Sequence, residues 1–154
     1  MGRSAEKLLK ESGVGFLTHR WRSFASFDEL LARQGTHQVV RTIAVEVPDR
    51  LVLVALRAED DLDYAKLAGV LGVDRDAIAA ATAGRIADLL DADPGFETIL
   101  TDADIARFVD ERVLRLSKAL VSSGSNDRLY ELAPADLVTV GGATVAALAT
   151  EPAS

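Results

Sequence analysis

Arg41 is the residue of this chain whose surroundings most invite a chemical role, because it is a cation within a stretch of apolar and β-branched residues. Residues 39–45 read VVRTIAV. A guanidinium is always protonated and presents a planar fork of donors, and a buried charge is costly unless it is paired. Arg41 therefore either contacts a ligand, or reaches solvent or pairs with a carboxylate of the chain itself.

A second polar group follows an apolar run near the C-terminal end, where residues 120–126 read LVSSGSN. Asn126 can donate and accept hydrogen bonds but does not titrate, so it can orient a substrate and cannot serve as a general acid. Ser122, Ser123 and Ser125 have no evident acid–base partners, which argues against a serine nucleophile. The same residues are also typical of a polar hairpin loop.

Between these two groups the chain carries a Pro94-Gly95 pair, within the segment DADPGFET at residues 91–98. Glycine lets the backbone approach a ligand closely, so a Pro-Gly turn can expose its amides to a substrate. The pair is equally suited to an ordinary turn. Both interpretations fit the residues.

Metal chemistry is not indicated by the pattern of possible ligands. His19 and His37 are the only histidines, they have no metal-ligand spacing, and cysteine is absent. The acidic runs at residues 60–63 and 74–76 resemble helix caps and lack the spacing of a calcium loop. We therefore expect neither a metal nor a cofactor, and we expect His37 at the surface.

Length and composition indicate one ordinary globular domain over residues 1–154, with 49% hydrophobic and 27% charged residues. Without cysteine, disulfides and a cysteine nucleophile are excluded. No apolar run is long enough to span a bilayer and no signal peptide is evident, so we expect a cytoplasmic protein.

The charge of the chain limits how a nucleic acid could bind. Because the net charge is −7, a nucleic acid would need a local basic face, for which the candidates are Arg20, Arg22, Arg33 and Arg41. A surface of ordinary mixed charge is the alternative.

The strongest structural pattern is a hairpin. Residues 38–47 alternate and are β-branched, residues 51–56 are continuously apolar, and a Pro48-Asp49-Arg50 turn joins them. This predicts a central antiparallel pair whose second strand is covered on both faces. Ser26 and Glu29 predict a capping box at a helix start, with each side chain accepting from the other residue's amide.

Weaker patterns predict the remaining elements, and together they indicate an α+β domain. Predicted helices cover residues 4–12, 61–71, 77–81 capped by Asp74, and 82–90 with Leu89 inward, followed by a late helix opened by Pro134. Predicted short strands cover residues 15–19, 96–100, 105–109, 119–122 and 129–132.

The order of these elements over residues 4–148 resembles the YbaK family of aminoacyl-tRNA editing domains, which are also found inserted in bacterial prolyl-tRNA synthetases. VVRTIAV at residues 39–45 matches that family's V-K-T-L strand, LAGVLG at 67–72 and Val109-Asp110-Glu111 match two further motifs, and LAPADL at 132–137 matches a late helix start. That family hydrolyses amino acids wrongly attached to tRNA. The resemblance implies a curved, mixed, mostly antiparallel sheet, barrel-like and flanked by helices, with a pocket between the V-K-T-L strand and a catalytic loop.

The resemblance also implies roles for individual residues. The catalytic positions fall at Arg41 in place of a lysine, at Gly95 in a loop whose glycine–proline order is reversed, and at Asn126 where a histidine is common. The substrate-binding positions fall at His19, Thr42, Phe96, Gly124 and Ser125. We expect Arg41, residues 94–98 and residues 124–126 to converge on one cleft.

Two functions are consistent with these residues. The first is a trans-editing deacylase that serves translation fidelity: it binds the aminoacyl-tRNA acceptor end, has an aminoacyl-tRNA synthetase as a further partner, and uses neither membrane nor DNA. The second is a catalytically degenerate relative whose pocket binds an amino acid, a nucleotide or a partner protein. Arg41, the altered loop and Asn126 favour the second function, while the scaffold favours neither.

Overall fold

Two apolar strands form the centre of the structure. In the computed structural model β2 (Val39–Val47) and β3 (Arg50–Arg57) pair antiparallel, with Val40 opposite Arg57 and Val47 opposite Arg50. The predicted hairpin is therefore confirmed. Each residue from 51 to 56 is at most 3% exposed, so the second strand is covered on both faces, as its continuous apolar run predicts.

The other elements extend this hairpin on both sides. The structure describes residues 3–90, 92–93 and 95–150. Within those ranges the helices are α1 (Arg3–Ser12), α2 (Phe27–Gln34), α3 (Tyr64–Leu71), α4 (Ala83–Leu89) and α5 (Pro134–Gly141), with 3-10 turns at Arg75–Ala77 and Glu111–Arg115. The remaining strands are β1 (Leu17–Arg20), β4 (Ala79–Ala80), β5 (Ala106–Asp110), β6 (Ala119–Ser122), β7 (Arg128–Leu132) and β8 (Thr144–Ala146).

All eight strands belong to one mixed sheet with the order β1-β7-β6-β2-β3-β5-β8, and β4 pairs with β2 beside this path. The pairs β1–β7, β6–β7, β2–β3 and β2–β4 are antiparallel, whereas β2–β6, β3–β5 and β5–β8 are parallel. A mostly antiparallel sheet flanked by helices is the α+β class that the sequence predicts. None of the described helices is long and apolar enough to cross a membrane.

Side chains of β3 alternate between two apolar clusters, because successive residues of a strand point to opposite faces. Leu53 and Ala55 belong to the cluster that contains Leu9 of α1 and Leu137 of α5. The intervening residues Val52, Val54 and Leu56 belong to the cluster that contains Leu67 of α3 and Leu148. The hairpin therefore supplies core residues to both faces of the sheet.

Several local predictions are wrong in instructive ways. Residues 77–81 form the end of a 3-10 turn and the short β4 instead of a helix, and Asp74 makes no side-chain cap. Residues 96–100 form no strand. Leu89 is 45% exposed instead of inward.

The capping box at the start of α2 differs in one of its two bonds. The Ser26 hydroxyl accepts from the Glu29 amide as predicted, but the Glu29 carboxylate accepts from the amide of Ala25 instead of that of Ser26.

Asp110 connects three segments at the end of β5. It is 1% exposed, and its Oδ1 accepts hydrogen bonds from the amides of Leu148 at 2.7 Å and Ala149 at 3.0 Å. Its Oδ2 accepts from the amide of Arg112 at 3.1 Å. The carboxylate thus satisfies buried donors that no neighbouring strand reaches, and it fastens the C-terminal segment to the sheet.

We expect Asp110→Ala to lower the free energy of unfolding by about 3 kcal/mol, because it leaves buried amides without an acceptor. Asp110→Asn should fall between wild type and alanine, since it keeps one acceptor oxygen. Urea unfolding of the three proteins measures this. Glu111→Ala is the control. The carboxylate of Glu111, the residue next to Asp110, is 51% exposed, so its loss should change the free energy of unfolding by less than about 0.5 kcal/mol.

Candidate functional site

A cleft opens along the edge of β2 that faces away from β3. On this edge β6 pairs with β2 at Val39 and Val40, and β4 pairs with it at Val45 and Glu46. Among the described strands none pairs with residues 41–44 on that side. The resulting space is about 280 Å³ and is lined by Arg41, Thr42, Ile43, Ala44, Ala81, Ala83, Ile86, Gly95 and Glu97.

Backbone groups of β2 face this cleft because of the alternation of a strand. The carbonyl of Ala44 accepts from the amide of Ala81 at 3.1 Å, so the even-numbered residues of β2 direct their hydrogen-bonding groups to this edge. The carbonyl of Gln38 does the same with the amide of Leu120 at 2.8 Å. Thr42 lies between them, so its amide and carbonyl point into the gap between β6 and β4.

Arg41 is half-buried at the cleft and its guanidinium is held by an aromatic ring. The carbon Cζ of Arg41 lies 5.5 Å from the centroid of the Phe27 ring, which is a cation–π contact. Within the described part of the chain Arg41 forms no salt bridge. None of the described carboxylates therefore pairs with Arg41, although such pairing is one of the alternatives that the sequence leaves open.

Residues 92–93 and 95–100, which follow α4, carry no helix or strand and are hydrogen-bonded to the end of β6. The amide of Asp93 donates to the carbonyl of Gly124 at 2.8 Å, and the amide of Gly124 donates to the carbonyl of Phe96 at 2.9 Å. The Ser122 hydroxyl donates to the carbonyl of Glu97 at 2.6 Å. Gly124 has a φ of +86°, which glycine adopts without strain.

This segment also contacts the surroundings of Arg41. The ring of Phe96 packs edge-on against Phe27 with centroids 5.6 Å apart, and Phe27 is the ring beneath Arg41. Gly95 lines the cleft directly. The structure thus brings Arg41, Thr42 and Gly95 to one cleft, with Phe96 and Gly124 behind them; Pro94 lies outside the described residues.

The remaining predicted positions lie behind or away from the cleft. The Ser125 hydroxyl donates to Asp127 at 2.7 Å and so stabilises its own turn. Asn126 is half-buried, and its backbone amide donates to the Asp93 carboxylate at 2.9 Å.

The two histidines also lie away from the cleft. His19 on β1 hydrogen-bonds Glu131 at 2.9 Å and stacks on Trp21, and it is not among the lining residues. His37 is exposed, as expected.

Glu97 lies within residues 94–98, which the sequence predicts at the cleft, but the sequence predicts no role for its carboxylate. It is 6% exposed, and its Oε1 accepts a hydrogen bond from the amide of Gly95 at 2.6 Å. Burial raises the pKa of Glu97, while the amides of Gly95 and of Glu97 itself and the charge of Arg41 act in the opposite direction. The sequence predicts residues 96–100 as a strand, in which one acidic residue does not indicate a site. The available signal is that Glu97 lies two residues after Gly95.

No cluster of three or more histidine, cysteine or acidic side chains suited to a metal ion occurs among the described residues. The polar groups that face the cleft are instead a cation, a carboxylate and the backbone of Thr42. Such a set can bind a ligand with charges of both signs and can stabilise charge that develops during a reaction.

Comparisons with known proteins agree on the fold. A family model described as the aminoacyl-tRNA editing domain matches residues 23–140. A candidate trans-editing enzyme for prolyl tRNA synthetase has 19% identity and a TM-score of 0.82, with 97% of both chains covered. The solved structure of a hypothetical protein has 20% identity and a TM-score of 0.84, with 96% of this chain and 100% of that chain covered.

A candidate signal transduction protein from Marinobacter aquaeolei VT8 has 18% identity and a TM-score of 0.69; the match covers 96% of this chain and 30% of that one. At these identities the likeness concerns the fold alone. A search of curated proteins gives no match.

Glu97→Gln should stabilise the protein at neutral pH. Because burial raises the pKa of Glu97, the stability that this group contributes is complete below the unfolded pKa of about 4.3 and is lost as pH rises through the folded pKa. Glutamine keeps an oxygen for the Gly95 amide without the charge. Urea unfolding at pH 4 and pH 7 should show the gain at pH 7 alone.

Glu111→Gln, whose carboxylate is half exposed, is the matched control and should show no such pH-dependent gain. A destabilised Glu97→Gln at pH 7, or a gain of equal size at pH 4, would contradict the assignment of burial as the cause.

Proposed function

Because the chain belongs to the aminoacyl-tRNA editing domain family, we propose that it binds the aminoacylated end of a tRNA in the cleft beside β2 and hydrolyses the ester of a wrongly attached amino acid. Within that family we propose that it is one of the YbaK-like editing proteins. The observation that carries this proposal is the Arg41 guanidinium, which lines the cleft and has no carboxylate partner in the described residues.

Arg41 is suited to anchor the acceptor end. A guanidinium offers a planar fork of donors that matches phosphate and sugar oxygens. The contact with Phe27 fixes its position without neutralising it. We therefore assign to Arg41 the binding of the terminal ribose–phosphate and the stabilisation of the negative charge that develops on the ester.

The backbone can supply a second donor to that charge. The amide of Gly95 is engaged by Glu97 at 2.6 Å, so the loop does not offer it freely. The amide of Thr42 faces the gap in the sheet, where no described strand pairs with it. A preorganised backbone donor of this kind contributes to transition-state stabilisation when it points at the reacting oxygen. Water is the nucleophile.

A basic segment at the end of β1 supports tRNA as the ligand, although the chain as a whole is acidic. Arg20 and Arg22 are exposed and flank Trp21, whose amide donates to the carbonyl of Asp127 at 2.8 Å. This bond holds the segment against the turn that carries Asn126. Arginine with an adjacent aromatic ring suits a single-stranded nucleic acid end, because phosphate neutralisation and base stacking act together.

One observation favours the alternative of a binding module without catalysis. The carboxylate of Glu97 already accepts from the amide of Gly95, the loop amide that a catalytic reading of this family would assign to the substrate. A loop whose amide is already hydrogen-bonded within the protein can line a ligand pocket, but it offers no donor to an oxyanion. Hydrolysis assays decide between the two functions.

Arg41→Ala should reduce kcat/KM for deacylation of a mischarged tRNA by an amount equivalent to about 2–4 kcal/mol, because it removes a preorganised charge-stabilising group. Arg41→Lys should retain more activity, since it keeps the positive charge. Arg115→Ala, which removes a largely exposed arginine, is the control. Wild-type activity that Arg41→Ala leaves unchanged would rule out the anchoring role.

If Arg20 and Arg22 contact phosphates, the double variant R20A/R22A should bind tRNA more weakly and with a shallower salt dependence. For two lost contacts to single-stranded phosphates, the slope of log K against log salt should fall in magnitude by about 1.4. Filter binding or fluorescence titration between low and moderate salt measures the slope. An unchanged slope would remove this segment from the interface.

A further inference from the structure

We propose that Glu97 recognises the free α-ammonium group of the aminoacyl ester, so that the cleft selects amino acids with an unblocked amine. This inference rests on the proposed function for the identity of the ligand. Its own evidence lies in the burial of the carboxylate, in its hydrogen bonds and in its position relative to Arg41.

The buried carboxylate of Glu97 would be stabilised by a cationic partner. The residue is 6% exposed and lines the cleft. It takes part in no salt bridge within the described part of the chain. A buried carboxylate is costly unless it is paired as well as hydrogen-bonded. A cation delivered into the cleft by a ligand would supply the missing partner.

The hydrogen bond of Glu97 fixes the orientation of its carboxylate. The Oε1 atom accepts from the amide of Gly95 at 2.6 Å. A donor of this kind favours the charged form of the group to which it is bonded. An oriented anion is what an ammonium group requires.

Arg41 and Glu97 together match the charge pattern of an aminoacylated nucleotide. Both line the same cleft and they attract one another, yet they form no salt bridge. An aminoacyl end carries phosphate at one side and an amine at the other, and an α-amino group with a pKa of about 7.7–8.0 is largely protonated at pH 7. The cation of the protein then faces the phosphate and its anion faces the ammonium.

The orientation that follows also assigns the side chain of the amino acid. With the ammonium at Glu97 and the ester near Thr42, the apolar side chains that remain in the lining are those of Ile43, Ala44, Ala81, Ala83 and Ile86. This part of the lining is aliphatic. It suits an aliphatic side chain, because a polar one would lose its hydrogen bonds to water there.

A binding experiment tests the proposal without requiring hydrolysis. The probes are 3′-deoxy-3′-(L-alanylamino)adenosine and its lactoyl counterpart, in which a neutral hydroxyl replaces the ammonium; both carry a stable amide. Calorimetry should show wild type binding the amine about 10- to 100-fold more tightly, the range for a charge-assisted hydrogen bond. Glu97→Gln should lose this preference while binding the lactoyl probe as wild type does.

Glu46→Gln is the matched control. Its carboxylate lies on β2 and accepts weakly from the amide of Thr82 at 3.4 Å, and it does not line the cleft; this variant should keep the preference. Urea unfolding confirms that each variant is folded. Equal binding of the two probes by wild type, or equal weakening of both by Glu97→Gln, would overturn the assignment.

Hydrolysis of alanyl-tRNA and lactyl-tRNA separates this inference from the proposed function. Selective binding of the amine probe without hydrolysis of either tRNA supports the role of Glu97 and rejects the deacylase. Hydrolysis of both tRNAs with the same kcat/KM, reduced equally by Glu97→Gln, supports the deacylase and overturns the role of Glu97. Preferential hydrolysis of alanyl-tRNA that Glu97→Gln abolishes supports both.

Discussion

The pairing of β2 with three other strands is the constraint on which the rest of the structure depends. One edge of β2 is occupied along its length by β3, while the other edge is divided between β6 and β4. The gap between these two partners is the cleft. The gap lies between the end of the β6 pairing and the start of the β4 pairing. Arg41 and Thr42 lie in the part of β2 between these pairings, and for this reason they line the cleft. A shift of one residue in the β2–β3 register would turn both side chains to the opposite faces.

Two buried carboxylates show how the same group serves structure in one place and a site in another. Asp110 accepts from three amides and is enclosed by the chain it fastens. Glu97 is nearly as buried but lines a cleft, and its burial raises its pKa. Asp110 satisfies three amide donors, whereas burial disfavours the charged form of Glu97. Polar groups whose environment works against the fold are the ones for which a ligand supplies the better explanation.

Local patterns were sufficient for the hairpin, for most helices and for the α+β class, because β-branched runs, caps and the Pro48 turn act within a few residues. They failed at residues 96–100, whose conformation is set by bonds to Gly124 and Ser122 far along the chain. The resemblance predicts Arg41, residues 94–98 and residues 124–126 at one cleft, which composition could not do. Arg41, Gly95 and Glu97 line the cleft, whereas residues 124–126 do not. The resemblance assigns no role to the Glu97 carboxylate, and it does not indicate that Ser125 is used by its own turn.

The strand pairings are nested along the chain, and this has a consequence for biosynthesis. The β2–β3 hairpin can form early, but β3 pairs next with β5, β2 with the later β6, and β1 with the still later β7. Until β6 has left the ribosome, the far edge of an apolar central strand has only the two residues of β4 to cover it. Such an edge is a template for association with other chains, and pairings between distant segments form slowly. The far edge of β2 is therefore exposed until late in synthesis, and we expect truncations that remove β6 to aggregate instead of folding in part.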